Sequence, residues 1–217
     1  VELIAGDLMQ KSESPKRNLD YYLAMHGDKL LIAGGGRWTN RYNYPGTFMQ
    51  YENGSWWNFD EKEALTPVQT ATLDYTCVAV DPFDATHYFV SSYGEGLLEF
   101  KDDKFVKLYT YQNSPLESSV PNNYSYTRIA GLAFDKEGNL WTTNCRVPYA
   151  VKVLKPDGSW IKMPYTSQLT NIEMMDKILI TASGNKWMNI PYANGSGVFV
   201  CNDNNTLDDT NDDAYHL

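Results

Sequence analysis

Arginine and large aromatic residues gather in three segments of this chain, residues 34–46, 144–149 and 184–195. Tryptophan and tyrosine rings stack on sugar rings or fill pockets of a protein partner, and arginine holds a carboxylate or phosphate through two parallel hydrogen bonds. These residue types favour a binding surface. The candidate ligand-binding residues are Arg37, Trp38, Arg41, Tyr42, Tyr44, Arg146, Tyr149, Trp187 and Tyr192. Alternatively, the three segments only pack over one another.

Motifs for catalysis are incomplete in this sequence. The triplet Gly34 to Gly36 lacks the GK[ST] ending of a phosphate-binding loop, and no GxSxG nucleophile motif occurs. Cys145 has no nearby histidine that could generate a thiolate. We therefore expect no enzymatic activity. A carbohydrate-cleaving enzyme stays open as an alternative, with Asp74 and Glu95 as a carboxylate pair if the fold brings both to one face.

Metal-binding patterns are also incomplete. The acidic segment 203–213 is rich in oxygen donors, but it lacks the glycine and the distal glutamate of a 12-residue calcium loop. His26, His87 and His216 are scattered and have no HExxH spacing. We expect no metal and no other cofactor, and we expect the acidic segment to be solvated.

The overall composition excludes several classes of partner. The chain has 217 residues and a formal net charge of −9, which repels the phosphate backbone of nucleic acids. No apolar run approaches the roughly 20 residues that cross a bilayer, so no membrane insertion is expected in this segment. The 16 tyrosines, 8 phenylalanines and 6 tryptophans favour strands, while the 15 glycines and 10 prolines favour turns.

An internal repeat predicts the fold. Four copies share an apolar run, a polar turn, a second run, a loop, a third run, and a turn into an aromatic-rich fourth run. In the clearest copy these runs are residues 128–134, 140–143, 150–154 and 160–163. The fourth copy has runs at 172–175, 178–181 and 198–201 and no evident fourth strand. Repeated four-stranded antiparallel meanders predict an all-β β-propeller.

The repeat also predicts the blades, the core and one functional face. Residues 1–217 are predicted to form a single propeller region, with blades at 17–66, 70–120, 124–168 and 169–217. We expect residues 1–16 to end a preceding blade in a fragment of a larger ring, rather than residues 1–5 to complete the last blade. Connections between second and third strands share one face, where the candidate residues would gather. The expected core residues of the second strands are Leu31, Phe89, Trp141 and Leu179.

Several motifs resemble those of a known family. The turn DKEGNLW at residues 135–141 and the segment YGEGLLEF at 93–100 resemble the two-component regulator propeller repeat of Bacteroidetes envelope proteins. GGGRW at 34–38, YENGSW at 51–56 and LKPDGSW at 154–160 look like the N-terminal propeller of a type IX secretion-system protein. The wide, irregular blade spacing favours the secretion type over compact sensor domains.

This resemblance implies a function and a location. It implies a non-catalytic binding or scaffold module of the bacterial cell envelope, periplasmic or at the cell surface. The module would recognise a glycan, lipopolysaccharide or protein partner as part of a secretion or sensing protein. A periplasmic ligand-sensing domain of a hybrid two-component system is the first alternative, and the carbohydrate-cleaving propeller is the second.

Overall fold

The computed structural model describes residues 14–191 and 196–217, which fold into antiparallel β-meanders. Blade 1 contains β1 (Asp20–His26), β2 (Lys29–Gly34), β3 (Thr47–Glu52) and β4 (Ser55–Asn58). Blade 2 contains β5 (Tyr75–Asp81), β6 (Asp84–Gly94), β7 (Gly96–Lys101) and β8 (Lys104–Tyr109). Each blade pairs its strands in chain order, which is the topology predicted from the repeat.

Blades 3 and 4 follow the same plan. Blade 3 contains β9 (Thr127–Phe134), β10 (Leu140–Asn144), β11 (Val151–Leu154) and β12 (Trp160–Lys162). Blade 4 contains β13 (Ile178–Ile180), β14 (Lys186–Ile190), β15 (Gly197–Asn202) and β16 (Ala214–His216). The end of β6 also pairs with β9, which joins blades 2 and 3 into one eight-stranded sheet. The described residues contain one α-helix, α1 (Thr166–Leu169). The predicted all-β propeller fold is confirmed.

Local sequence explains the tight turns within the blades. Asn53 and Gly54 form the two-residue turn between β3 and β4, and both have positive φ, 51° and 80°. Asp102 and Asp103 form the equivalent turn between β7 and β8 with φ of 51° and 58°. Two consecutive positive φ values are typical of the turn type whose twist matches a hairpin, and asparagine, aspartate and glycine adopt them most easily.

The core lies in three apolar layers between successive blades. Strand β6 alternates its side chains, so Tyr88 packs into the layer with blade 1 and Phe89 into the layer with blade 3. In the same way, Leu140 of β10 faces blade 2 and Trp141 faces blade 4. This period-two alternation buries both faces of blades 2 and 3. The burial of Leu31, Phe89 and Trp141 confirms three of the expected core positions.

The expected register of blade 4 is wrong. Residues 172–175, expected as the first strand, form no strand, and β13 is the first strand of the blade. The second strand is β14, which lies in segment 184–195, where a long loop was expected. Leu179 is therefore not a core residue: it is 67% exposed, on the face of β13 opposite the blade 3 layer. The fourth strand that the sequence did not reveal is β16. Met175 is buried outside any strand, and its carbonyl accepts a hydrogen bond from the Arg37 side chain.

The blade boundaries, including the assignment of residues 1–16 to a preceding blade, stay predictions. The proposal that residues 1–5 could complete the last blade falls on residues 1–13, which lie outside the described part of the chain. Within the described residues, no helix has the length and apolar character needed to span a bilayer.

Candidate functional site

The loop between β2 and β3 carries the largest group of candidate residues. It closes on itself through a bridge between Arg37 and Arg41 and through a 3.0 Å hydrogen bond from the Trp38 amide to the Asn40 carbonyl. Gly35, with φ of 126°, lets the loop base approach blade 2, because a Cβ there would come within 2.6 Å of the Asp74 Cα. Glycine at this position therefore allows the base of the loop to lie against the backbone of blade 2.

Three aromatic side chains of this loop are exposed to solvent. Trp38 is 60% exposed, Tyr42 45% and Tyr44 46%. The rings of Tyr42 and Tyr44 contact each other with centroids 5.6 Å apart. We call these three residues the aromatic loop surface. Exposed rings with hydroxyl or indole N–H groups can fill a partner's pockets and hydrogen-bond at its rim, so this arrangement is suited to binding.

Arg37 lies beneath this surface and is not available to a ligand. Its side chain is 1% exposed and donates a 2.8 Å hydrogen bond to the Met175 carbonyl. A carboxylate oxygen of Asp176 lies 3.2 Å away, and the Tyr93 ring centroid lies 4.5 Å from the guanidinium carbon. The charge is therefore balanced inside the protein, where it ties blade 1 to blade 2 and to the segment before β13.

Arg41 is also paired, at the base of the same loop. Its guanidinium lies 2.8 Å from a Glu95 oxygen and 3.6 Å from an Asp74 oxygen, and it donates a 2.9 Å hydrogen bond to the Ser125 carbonyl. Asp74 also accepts hydrogen bonds from the backbone amides of Asn43 and Tyr44, at 2.8 and 3.0 Å. The loop is thus fixed to blade 2 by one buried ionic cluster.

Burial controls the protonation of the two carboxyl groups in this cluster. Desolvation raises the pKa of Asp74 and of Glu95, although Arg41 and the hydrogen-bond donors act in the opposite direction. Glu95 also lines an open cleft of about 550 Å³. Its lining includes Arg41, Asn43, Thr70, Leu73, Glu95 and Ser125. Asp74 and Glu95, the carboxylate pair of the enzymatic alternative, both contact the guanidinium of Arg41.

The candidate residues of blade 3 are held by local contacts. Arg146 and Tyr149 lie on the loop between β10 and β11. The Arg146 side chain is 44% exposed and lies 3.1 Å from a Glu173 oxygen. Tyr149 is 37% exposed, with the Lys162 ammonium 5.1 Å from its ring centroid. Arg146 is therefore partly neutralised, and no contact between this pair and the aromatic loop surface is seen among the described residues.

Trp187 does not lie on a loop. It occupies the middle of β14 between Leu179 and Val200 on the neighbouring strands, and it is 42% exposed on the sheet face that points away from blade 3. Tyr192 lies outside the described residues. The structure thus brings together the candidates from Arg37 to Tyr44 and leaves Trp187 apart from them. The expectation that Trp187 belongs to a second-to-third-strand loop is wrong, because the register of blade 4 differs.

Sequence reasoning missed several hydrogen-bond and ion-pair partners of the arginines. Asp176, Glu173 and Ser125 carry no recognisable motif and are distant in the chain from Arg37, Arg146 and Arg41. No signal in a single sequence identifies such pairs. Lys152 was also missed: it is fully buried with Glu117 at 2.9 Å, yet desolvation lowers its pKa to about 8.

Comparisons with known proteins identify what this fold resembles. No protein-family model matches the sequence, and no curated protein matches it. Among solved structures, PorZ of Porphyromonas gingivalis, a surface component essential to the type IX secretion system, matches with a TM-score of 0.85 and 28% identity. The match covers 94% of this chain and 28% of PorZ, so the chain spans less than a third of that protein's length.

Two further structures share the fold at lower identity. The extracellular domain of a hybrid two-component system from B. thetaiotaomicron matches over 95% of this chain and 25% of its own, with 15% identity and a TM-score of 0.64. A GH74 xyloglucanase from Xanthomonas campestris matches over 83% of this chain and 29% of its own, with 15% identity and a TM-score of 0.60. These two show the propeller fold alone.

The neighbours confirm the predicted resemblance to envelope propellers of Bacteroidetes. The match to PorZ, a surface component, also supports the predicted periplasmic or cell-surface location. The chain is therefore an envelope propeller module.

Proposed function

We propose that this module is non-catalytic and binds a protein partner through the aromatic loop surface, as part of a secretion assembly in the cell envelope. The observation that carries the proposal is the exposure of Trp38, Tyr42 and Tyr44 on a loop whose base is fixed by buried ion pairs. A rigid loop loses little conformational entropy on binding, so its exposed rings contribute more to affinity. The likeness to PorZ supports the secretion context.

The charges around the loop favour a protein over lipopolysaccharide or another anionic glycan. A polyanionic ligand needs free cations, but Arg37 pairs with Asp176 and Arg41 pairs with Glu95 and Asp74. The net charge of −9 adds repulsion. Aromatic residues without free charge are instead typical of the core of a protein interface.

The same cluster supports a non-catalytic function. A glycosidase needs two carboxyl groups on opposite sides of the scissile bond, one protonated and one ionised, with space for the sugar between them. Here the space between Asp74 and Glu95 holds Arg41, which contacts both. A sensing domain of a two-component system would bind its ligand with the same loop, so the identity of the partner distinguishes sensing from secretion.

Site-specific photo-crosslinking tests the proposal. A photoreactive phenylalanine replaces Trp38 or Tyr42 in the full chain, which is then incubated with envelope extract from a bacterium that has a type IX secretion system. The same residue in place of Val106, which is 54% exposed on β8, serves as the control. We expect a discrete protein adduct from positions 38 and 42 that position 106 does not give.

Two results would contradict the proposal. A lipopolysaccharide ladder in place of a protein band would show that the ligand is a glycolipid. Equal labelling from all three positions, or none from positions 38 and 42, would show that this loop makes no specific contact.

A further inference from the structure

A second cavity lies between blades 2 and 3, on the face of the propeller that carries the turns between first and second strands. Residues from the turns after β5, β9 and β11 line this cavity. Its volume is about 180 Å³. Successive connections of a meander alternate between the two ends of its strands. The cavity therefore lies on the face of the propeller opposite to the one with the second-to-third-strand loops, which include the loop of the aromatic loop surface.

The walls of this cavity are mostly aromatic and aliphatic. Phe89, Tyr109 and Phe134 contribute rings, and Leu140 and Leu154 contribute aliphatic side chains. The Phe89 and Phe134 rings lie 5.9 Å apart at an interplanar angle of 57°. Rings from two different blades thus form one apolar wall, against which the C–H face of a ligand can pack.

The polar side of the cavity is a hydrogen-bonded chain of charged groups. His87 lies between two carboxylates, with Nδ1 3.1 Å from Asp81 and Nε2 2.9 Å from Glu99. The Tyr109 hydroxyl donates to the other Glu99 oxygen at 2.7 Å. Hydrogen bonding to Glu99 raises the pKa of His87, which favours the protonated imidazole between the two carboxylates.

The remaining charge at the rim is also paired. Lys155 lies 3.0 Å from an oxygen of Asp208, and both side chains retain solvent exposure. Each carboxylate oxygen in the cavity can accept a second hydrogen bond, and an ammonium group has three donors. The cavity therefore offers hydrogen-bond acceptors from Asp81 and Glu99 and a donor from Lys155.

We propose that this cavity binds a single neutral sugar ring. A neutral ligand fits because an anion would face the carboxylates of Asp81 and Glu99, and a cation would face the ammonium group of Lys155. Hydroxyl groups match the acceptors and the donor, while the C–H face of the ring matches Phe89, Tyr109 and Phe134. The volume corresponds to about six water molecules, which suits one ring rather than two.

Phe83 extends the apolar wall to the outside of the cavity. It is 73% exposed and packs against Gly138, where an added Cβ would come within 3.1 Å of its ring. Gly138 itself lines the cavity. An exposed ring beside the opening gives a place for the next ring of an oligosaccharide to stack, so the bound sugar can be the end of a longer neutral glycan.

Saturation-transfer NMR tests this site with the methyl glycosides of glucose, galactose, mannose and N-acetylglucosamine at millimolar concentration. Butylammonium and butyrate, which are smaller than the glycosides and can enter the same cavity, serve as charged probes. We expect transfer to at least one glycoside and none to the charged probes. Replacing Phe134 by Leu keeps apolar volume but removes the ring, and should raise the Kd of that glycoside about tenfold. Lys155→Met should weaken binding in the same direction.

The matched control is Trp38→Ala on the opposite edge, which should leave sugar binding unchanged while it disrupts the aromatic loop surface. Thermal unfolding of each variant shows whether it is folded. The proposal is overturned if no glycoside receives saturation, if a charged probe binds better than every glycoside, or if folded Phe134→Leu and Lys155→Met bind as the wild type does. None of these results bears on the partner of the loop surface.

Discussion

The Arg41 guanidinium on the β2–β3 loop lies 2.8 Å from the carboxylate of Glu95, which follows β6 in blade 2. Both side chains are nearly buried, so this ion pair is part of the structure that supports the loop and is not a free binding group. It explains why a loop with three exposed aromatic residues can keep one conformation, and it separates the residues that hold the site from those that can contact a partner.

Removing Arg41 should destabilise the protein strongly. Arg41→Gln leaves Glu95 and Asp74 buried without their cation, which typically costs about 3–5 kcal/mol. The free energy of unfolding from urea denaturation measures this effect. Trp38→Ala on the same loop is the control and should change stability by no more than about 0.5 kcal/mol, since Trp38 is exposed. Equal stability of the Arg41 variant and the wild type would mean that the cluster contributes nothing.

The two tryptophans of second strands should behave differently. Trp141 is fully buried, donates a 2.9 Å hydrogen bond to Asp135 and lies 4.5 Å from the Lys186 ammonium. Trp141→Ala should therefore cost about 3–5 kcal/mol, from lost burial and the cavity that remains. Trp187→Ala should cost about 1 kcal/mol or less, because that side chain is 42% exposed. Denaturation midpoints that fall equally would show that the register of blade 4 is wrong.

Leu31 and Leu179 provide a second matched pair. Leu31 is fully buried between blades 1 and 2, and Leu31→Ala should cost about 2–5 kcal/mol. Leu179 is 67% exposed, so Leu179→Ala should change the free energy of unfolding by about 0.5 kcal/mol or less. Thermal and urea unfolding of both variants measure the difference. A large loss in the Leu179 variant would instead place this side chain in a packed interface.

His87 should make stability depend on pH. The pKa of His87 is raised in the folded protein, first by the hydrogen bond to Glu99. Its contribution to the free energy of unfolding is therefore complete below the unfolded pKa of about 6.5 and is lost as pH rises through the folded pKa. The same bond lowers the pKa of Glu99, whose contribution is lost as pH falls through that lowered pKa. Urea midpoints from about pH 6 to about pH 9 should decline in the wild type and decline less in His87→Gln. Parallel profiles for the two proteins would contradict this.

Much of the fold follows from local patterns in the sequence. Period-two alternation and short polar turns predicted the strands of blades 1 to 3, because each of these patterns depends only on residues that are close together in the sequence. The same signals misplaced blade 4, where Met174 and Met175 are buried without belonging to a strand. Burial alone does not distinguish a strand from a packed loop, since the two differ in the partners of their backbone groups.

The sequence by itself determined the propeller, the likeness to envelope proteins, and the concentration of aromatic residues on the loop from Arg37 to Tyr44. Only the tertiary structure decided that Arg37 and Arg41 are neutralised, that Trp187 lies on a sheet face, and that a cavity opens beside His87. The reason is physical. Side-chain charge and exposure depend on neighbours that come from other blades, and a pattern confined to one segment contains no information about those neighbours.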